Sequence, residues 1–382
     1  MINLLLVYDQ MNTTTEVNLS GAKSIFDDGE HTVRIIQSKA ITQEDLNWCD
    51  ACFANRPSSV YMVRISRVLR KSGRRFISLF DDDLLGLPKG NSARWRKGYV
   101  LRCLRGSDIV ITPNPLLARF YNSIVGSPKY VILNTHIPEE EIMPIPESDQ
   151  VTRIVYAAGL DHTKLFEKYI MPSLDVLAER YSSRIEMTLV GIRPNLSKVK
   201  QTGWIHQMDT MPYEQYKSYM RSHQFDVGLA PLEDDLFSNR KYFNKFFEYS
   251  KNGIVGLYSN CSPYTLVIKD GKNGCLVDNS VEAWRSALCN TVEQIDVIKE
   301  MAHEAQRQLR TEFSISAVRK VVHTEVDGEL IGCHNSSRVK YSRPIVPGAL
   351  FEARTRWHQF TAHVYEEGII MAVKRVWAQM NN

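Results

Sequence analysis

The sequence predicts an α/β protein of two domains, each a parallel sheet covered by helices. Three observations predict it. The chain has 382 residues, more than one hydrophobic core usually organises, so two domains are the natural division. Short apolar runs of strand length alternate with amphipathic segments, the pattern of repeated βα units. Near the middle that alternation is interrupted by Pro138 to Val151, with three prolines and five carboxylates, which reads as a linker. The expected division is 1–140 for the first domain, 141–151 for the linker, 152–327 for the second domain and 328–382 for a tail.

Composition sets the class. Hydrophobic residues make up 43% and charged residues 24% of the chain, as in ordinary globular proteins. No apolar run approaches bilayer-spanning length, and Met1 to Tyr8 is strand-like, without the basic start and cleavage site of a signal peptide. A cytoplasmic protein is expected. Seven cysteines are scattered through the chain; the one close pair, Cys49 and Cys52, lacks the second pair that a zinc site needs. Reduced thiols and no metal centre are expected.

In the first domain the strand-like runs are Asn3 to Tyr8, Thr32 to Ile36, Ala51 to Ala54, Arg75 to Phe80, Ile109 to Thr112 and Tyr130 to Leu133. Several end in polar residues: Asp9, Asn55 with Arg56, Asp81 to Asp83, Asn114 and Asn134. Strand C-termini line the crevice of such a sheet, so Asn55, Arg56 and Asn114 are candidate groups for a second substrate. The run Asp81-Asp82-Asp83 allows three readings. Carboxylates there suit a divalent ion, or one of them could deprotonate a hydroxyl, or they cap the helix start at Leu84-Leu85.

Charge is uneven. Between Arg56 and Arg105 thirteen basic residues stand against three acidic ones, +10 in a chain of net charge +4. Arg64, Arg67 and Lys71 share a helical face, and Trp95 and Tyr99 are interleaved with Arg94, Arg96, Lys97 and Arg102. Basic residues mixed with aromatics suit an anionic membrane surface. A solvated helix face is the plainer reading, and no nucleic-acid-binding motif accompanies the patch.

In the second domain, strands are expected at Thr152 to Ala157, Ile185 to Val190, Gly203 to His206 and Asp226 to Leu232, and after Gly253. Ala158-Gly159 follows the first of these, with His162 and Lys164 close behind. Pro231 closes the fourth, and a helix begins near Phe243. On it Lys241, Lys245 and Glu248 fall at i, i+4 and i+7, placing two cations and a carboxylate on one face beside backbone N–H groups that favour an anion. Such a face can hold a diphosphate and a ribose diol; ordinary ion pairs on an exposed helix are the alternative.

The run Asp226-Val-Gly-Leu-Ala-Pro-Leu, Phe237, Lys241, Lys245, Glu248-Tyr249 and Gly253, then Tyr264, Val267, Asp270-Gly271 and Asn273-Gly274, resembles the nucleotide-binding half of GT-B glycosyltransferases, and is similar to family 4 among them. The resemblance covers the second half of the chain well and the first half in outline. It implies two Rossmann-like domains facing each other across a cleft, and transfer of a sugar from a nucleotide-diphosphate donor to a glycan hydroxyl with retention of configuration. By that resemblance Glu248 holds the ribose, Gly159 and Lys164 close the phosphate site, and Gly191 and Ile205 lie near the base. Lys241 and Asn244 belong to the same donor site. Arg240 and Lys245, with an aspartate among Asp81, Asp82 and Asp83, form the expected catalytic set. No cofactor and no metal are implied.

One position departs from the family pattern. Many members carry a second acidic residue eight positions before the glutamate, and Arg240 stands there in this chain. Either Glu233, Asp234 or Asp235 substitutes, or the sugar is held differently. The expected partners are therefore a nucleotide sugar, a glycan or lipid-linked glycan acceptor, and an anionic membrane surface through 56–105, giving peripheral attachment at its inner face. A sugar-nucleotide epimerase or phosphorylase, a metal-dependent enzyme and a non-catalytic binding subunit are the alternatives. The tail, with Trp357, Phe360, Val364, Ile369, Ile370, Val373, Val376 and Trp377, is expected to cross back to the first domain; a membrane or a second copy are its other destinations.

Overall fold

The computed structural model describes all residues except 1, 89–90, 92, 148–149, 331–338 and 368–382. Two compact units emerge among the described residues: those of 2–135 together with those from 318 to 367, and those of 136–317. Each is built on its own six-stranded sheet.

In the first unit the strands are β1 (Ile2–Tyr8), β2 (His31–Gln37), β3 (Ala51–Asn55), β4 (Arg75–Leu79), β5 (Ile109–Thr112) and β6 (Lys129–Ile132). Their order is β2-β1-β3-β4-β5-β6, and every pairing is parallel. Central strands covered on both faces must be apolar throughout, and β1 and β3 are. Leu4, Leu6 and Phe53 pack on the Thr13–Phe26 helix side, while Leu5, Val7, Cys52 and Ala54 pack with Met62, Ile65 and Leu69 of the Val60–Lys71 helix. That split follows from side chains alternating along a strand.

The second unit holds β7 (Thr152–Ala157), β8 (Ile185–Val190), β9 (Ile205–Met208), β10 (Val227–Ala230), β11 (Val255–Ser259) and β12 (Cys275–Val277). The order is β12-β11-β10-β7-β8-β9, again all parallel. From β7 the chain winds out to β9, then returns to the other side of β7 as β10. The strand order therefore reverses between β7 and β10, whereas in the first sheet it reverses between β1 and β3. Crevices outside the C-terminal strand ends at such reversals are where open α/β sheets bind ligands.

Some elements differ from the sequence reading. β9 starts two residues later than Gly203, because Gly203 and Trp204 belong to the turn that enters it. β12 was not expected as a strand: it has only three residues, two of them partly exposed. The Pro138–Val151 run is pinned to the second unit: Met143 N–H donates to Lys251 O at 2.7 Å, Gln306 Nε2 to Met143 O at 2.8 Å, and Lys251 pairs with Glu141 at 2.7 Å.

Residues 318–330 cover the first sheet. Val318, Val322, Val326 and Leu330 join Leu4, Phe53 and Ile77 in one core cluster. The Arg319 guanidinium donates to the carbonyls of Ser24, Ile25 and Asp27 at 2.7–2.9 Å, satisfying the open C-terminal end of the Thr13–Phe26 helix. The Ile345–Glu367 helix seats Phe351 against Tyr61, Trp95 and Tyr99. Ile369, Ile370, Val373, Val376 and Trp377 lie outside the described residues.

Packing under Phe351 alters the reading of the basic stretch, since Trp95 and Tyr99 are taken up by the tail helix. Arg74 is buried and donates to Cys49 O at 2.9 Å, and Arg75 pairs with Asp108 at 3.3 Å. Among the described residues the exposed remainder is Arg64, Arg67, Arg70 and Lys71 on Val60–Lys71 and Arg102 and Arg105 on Lys97–Gly106, and Arg67, Arg70, Arg102 and Arg105 surround one shallow depression. Among the described residues no helix is long and apolar enough to cross a membrane. Cys49 and Cys52 are buried and unbridged, and burial pushes the Cys49 thiol up to about 12.

Candidate functional site

The β7/β10 reversal gathers most of the expected donor residues. β7 ends in Ala157, and Ala158 N–H donates to Val190 O at 3.0 Å, so the Ala158–Gly159 turn lies across the end of β8. Gly191 follows β8 with φ +80°, and a Cβ there would stand 2.4 Å from Ala158 O. Only glycine fits both that dihedral and that approach. The turn then leads into His162 and the exposed Lys164.

On the other side, β10 feeds the 231–243 loop and the Asn244–Lys251 helix, whose start has no side-chain cap. That helix is locked to its strand by Tyr249, whose hydroxyl donates to Leu229 O at 2.6 Å. Gly228 makes room, since a Cβ there would lie 2.6 Å from the Tyr249 ring. Lys245 Nζ donates to Glu248 Oε1 at 2.7 Å, and the Tyr216 hydroxyl makes a short hydrogen bond to the same oxygen. Burial, and next Glu248, push the Tyr216 phenol far above its ordinary value, so it remains a donor. Among the described residues both contacts fall on Oε1.

His162 reports how the two loops converge. Burial holds its pKa below the ordinary imidazole value, and the Lys241 and Lys245 ammoniums push the same way, against Asp161. Two lysines and a partly buried histidine thus share one field, next to uncapped N–H groups of a helix start. Such a place favours an anion.

The loop acids weighed as substitutes at the Arg240 position are engaged. Glu233 accepts from Lys168 at 2.8 Å and from Tyr169 at 3.0 Å; Asp234 accepts from Asn239 at 2.7 Å; Asp235 accepts the N–H groups of Phe237 and Ser238 at 2.9 and 2.7 Å. All three shape the loop. Arg240 closes the short helical turn Ser238–Arg240 just before Lys241, and Asn244 is exposed at the helix start.

Ile205 does not join this group. It opens β9 opposite Met187, while Gly191 N–H reaches Met208 O at 3.0 Å, so the residues beside Gly191 are Met208 to Thr210. Trp204 is a core residue whose Nε1 donates to Gln201 O at 3.0 Å.

In the first unit the expected polar residues separate by role. Asp83 is fully buried, and its Oδ1 accepts the N–H groups of Leu85 and Gly86 at 3.1 and 2.6 Å. It shapes the turn after β4. Asp82 accepts its neighbour's N–H at 2.9 Å. Asp81 takes a two-point ion pair from Arg56, whose Nη2 lies 2.8 Å from Oδ2 and whose Nε closes the second contact. Arg56 itself has φ +45°, a conformation that side chains rarely adopt and that marks a constrained site. Asn114 caps the Pro115–Ile124 helix, accepting from Leu116 N–H at 2.8 Å. Asn55 ends β3, only 2% exposed, and accepts from Asn18 at 3.0 Å.

Several solved structures share this arrangement of two sheets. HepE from Anabaena in complex with UDP is 9% identical, covers 86% of this chain and 100% of its own, and superposes with a TM-score of 0.64. The chain has a GT-B fold. A glycosyltransferase from Rickettsia africae is 12% identical over 87% of this chain and 99% of its own, with a TM-score of 0.63. Similarity extends to a Listeria monocytogenes protein assigned as a UDP-N-acetylglucosamine 2-epimerase, 8% identical over 89% of this chain and 99% of its own, with a TM-score of 0.57. No protein-family model and no curated protein matches the sequence.

Sequence reasoning missed Tyr216, which shares Glu248, and gave His162 only a minor part. Tyr216 carries no local signal: it lies on the separate Tyr213–Ser222 helix, and only the fold brings it to Glu248. His162 was findable, three residues after the Gly159 turn.

Proposed function

We propose that this chain transfers a glycosyl residue from a nucleoside-diphosphate sugar to a hydroxyl of a glycan or lipid-linked glycan. The observation that carries this reading is the set His162, Lys241, Lys245 and Glu248 at the β7/β10 reversal. The cations and the uncapped helix start neutralise the diphosphate as the anomeric C–O bond breaks, with Arg240 and Lys164 adding charge. Glu248 Oε2 accepts from the ribose, with Oε1 already held by Lys245 and Tyr216. The acceptor oxygen then bonds to the anomeric carbon, and its proton passes to the departing diphosphate oxygen, so that the nucleoside diphosphate leaves as the second product. HepE, crystallised with UDP and glucose, supports a nucleotide-sugar ligand. Retention of configuration and turnover without a metal complete the reading, and a chelator is expected to leave the rate unchanged.

The test is a thermal-shift panel with UDP, GDP, ADP, CDP and dTDP on wild type and Glu248→Ala, because a ligand that binds only the folded state raises its melting temperature. Glu248→Ala should weaken binding by roughly 1–3 kcal/mol, the range for hydrogen bonds to a charged group. Equal affinity in a folded variant would remove the donor site. The epimerase neighbour supports one second reading, which labelled donor separates: an epimerised nucleotide sugar with no transfer to any acceptor would replace the transferase.

Membrane contact rests on Arg67, Arg70, Arg102 and Arg105. Changing all four to Gln should lower association with phosphatidylglycerol vesicles, at about 1 kcal/mol per cation near the surface, and leave nucleotide affinity intact. Unchanged vesicle binding would end this part of the proposal.

A further inference from the structure

The reversal in the first sheet holds a cavity of about 180 Å³ at the C-terminal ends of β1 and β3. Asp9, Asn55 and Arg56 form its floor, Arg96 one wall, and Thr355 and Gln359 of the Ile345–Glu367 helix its cover. It lies wholly within the first unit.

The donors and acceptors around it do not balance. Asp9 is already saturated: Oδ1 accepts from Ser38 and Ser59 at 2.7 and 2.5 Å, and Oδ2 from Ser58 N–H at 3.0 Å. Arg56 is committed to Asp81. By contrast, Asn55 Nδ2 and Arg96 Nε are buried with no hydrogen-bond partner. Arg96 Nη2 makes only long contacts, 3.5 Å to Gln10 Oε1 and 3.4 Å to Thr355 Oγ1. Among the described residues no carboxylate stands within ion-pair distance of it. Asp9 and Glu352 act on Arg96 only from beyond that distance, and its guanidinium lies over the Trp95 and Phe351 rings; a buried guanidinium N–H and a buried amide donor that lack a hydrogen-bond acceptor are each costly. Both costs disappear if a ligand brings oxygens to the cavity.

The other lining groups narrow the ligand. Gln10, Thr355 and Gln359 offer amide and hydroxyl partners for several hydroxyls, and Leu87 and Val100 supply an apolar wall. The volume is below the ~300–1,000 Å³ of pockets that take drug-sized ligands, and suits one sugar ring.

We propose that this cavity binds a single sugar ring carrying a carboxylate or a phosphate, with the anionic group on Arg96 and Asn55, as the accepting residue of the transfer reaction. The role as acceptor rests on the transferase reading above; the binding does not. Titration calorimetry of the full chain with glucuronic acid, glucose 6-phosphate, glucose and inorganic phosphate, alongside UDP, tests it. One of the two anionic sugars should bind at least tenfold more tightly than glucose and than inorganic phosphate, and which one it is identifies the anionic group. Arg96→Gln should lower that affinity at least tenfold with UDP affinity unchanged. Because Arg96 also touches the tail helix, Gln359→Ala serves as a second variant, with an expected loss of three- to tenfold. Sugar binding without UDP binding would keep the cavity assignment and remove the transferase reading. UDP binding with no response to either anionic sugar would overturn the cavity assignment, as would glucose or phosphate binding equally well.

Discussion

The two sheets place a crevice at the same topological position and furnish it in opposite ways. β7 ends in Ala-Ala-Gly, so its crevice presents backbone, and charge arrives from His162, Lys241 and Lys245 on the flanking segments. Asp9 follows β1, and Asn55, the last residue of β3, is followed by Arg56, so polar side chains line the first crevice. The difference teaches that a strand order reversal supplies a place for a ligand, while the last residue of each strand decides its chemistry. In the proposed reading, small strand-end residues leave room for a diphosphate against N–H groups, and polar ones meet the ligand with side chains.

The sharpest way to break this comparison is Gly191→Ala. A Cβ 2.4 Å from Ala158 O at φ +80° should cost roughly 2–4 kcal/mol of stability, since positive-φ glycines resist replacement and steric conflict adds to it. Urea denaturation reads the loss. Nucleotide affinity should fall with it, and unchanged stability would show that the β7 turn has room to move.

Next in size is Asp83→Ala, which removes the acceptor for two turn N–H groups and should cost roughly 1–2 kcal/mol, as lost caps do. Nucleotide affinity should stay the same. A loss of turnover in a folded Asp83→Ala protein would return this residue to the catalytic set.

The smallest effect concerns pH. His162 has its pKa lowered by burial and then by Lys241 and Lys245, so the unfolded chain binds the proton first. The resulting stability is fully present above about pH 6.5, the ordinary imidazole value, and is lost as pH falls towards the lower folded value. A bound diphosphate opposes that shift, so binding takes up a proton in the same window. Calorimetry in buffers of different ionisation enthalpy should show this uptake in wild type and less of it in His162→Gln; equal uptake in both would clear His162 of the role.

Much of the fold was legible because buried parallel strands write themselves as apolar runs, and eleven of the twelve strands stand where such runs occur. β12 escaped because Cys275 to Val277 is too short for a pattern. Helical spacing was legible for Lys245 and Glu248, which pair on the Asn244–Lys251 helix, whereas Lys241, expected on the same helix, lies in extended backbone before its start. The site was illegible where partners come from distant segments: Tyr216 reaching Glu248, or Thr355 and Gln359 covering a cavity floored by Asp9. Asp83 shows a further limit, since an aspartate that caps a turn and one that takes a proton look alike in sequence.

The crossing of residues 318–330 onto the first sheet has a consequence for synthesis. Val318, Val322, Val326 and Leu330 complete a core begun by Leu4 and Leu6, so the first unit cannot close until the ribosome has passed the whole of the second. At roughly 5–20 residues per second that is a delay of roughly ten to forty seconds. The part of the chain made first is thus finished last. A released chain truncated after Ala317 should show a protease-resistant second unit while the first stays open to cleavage.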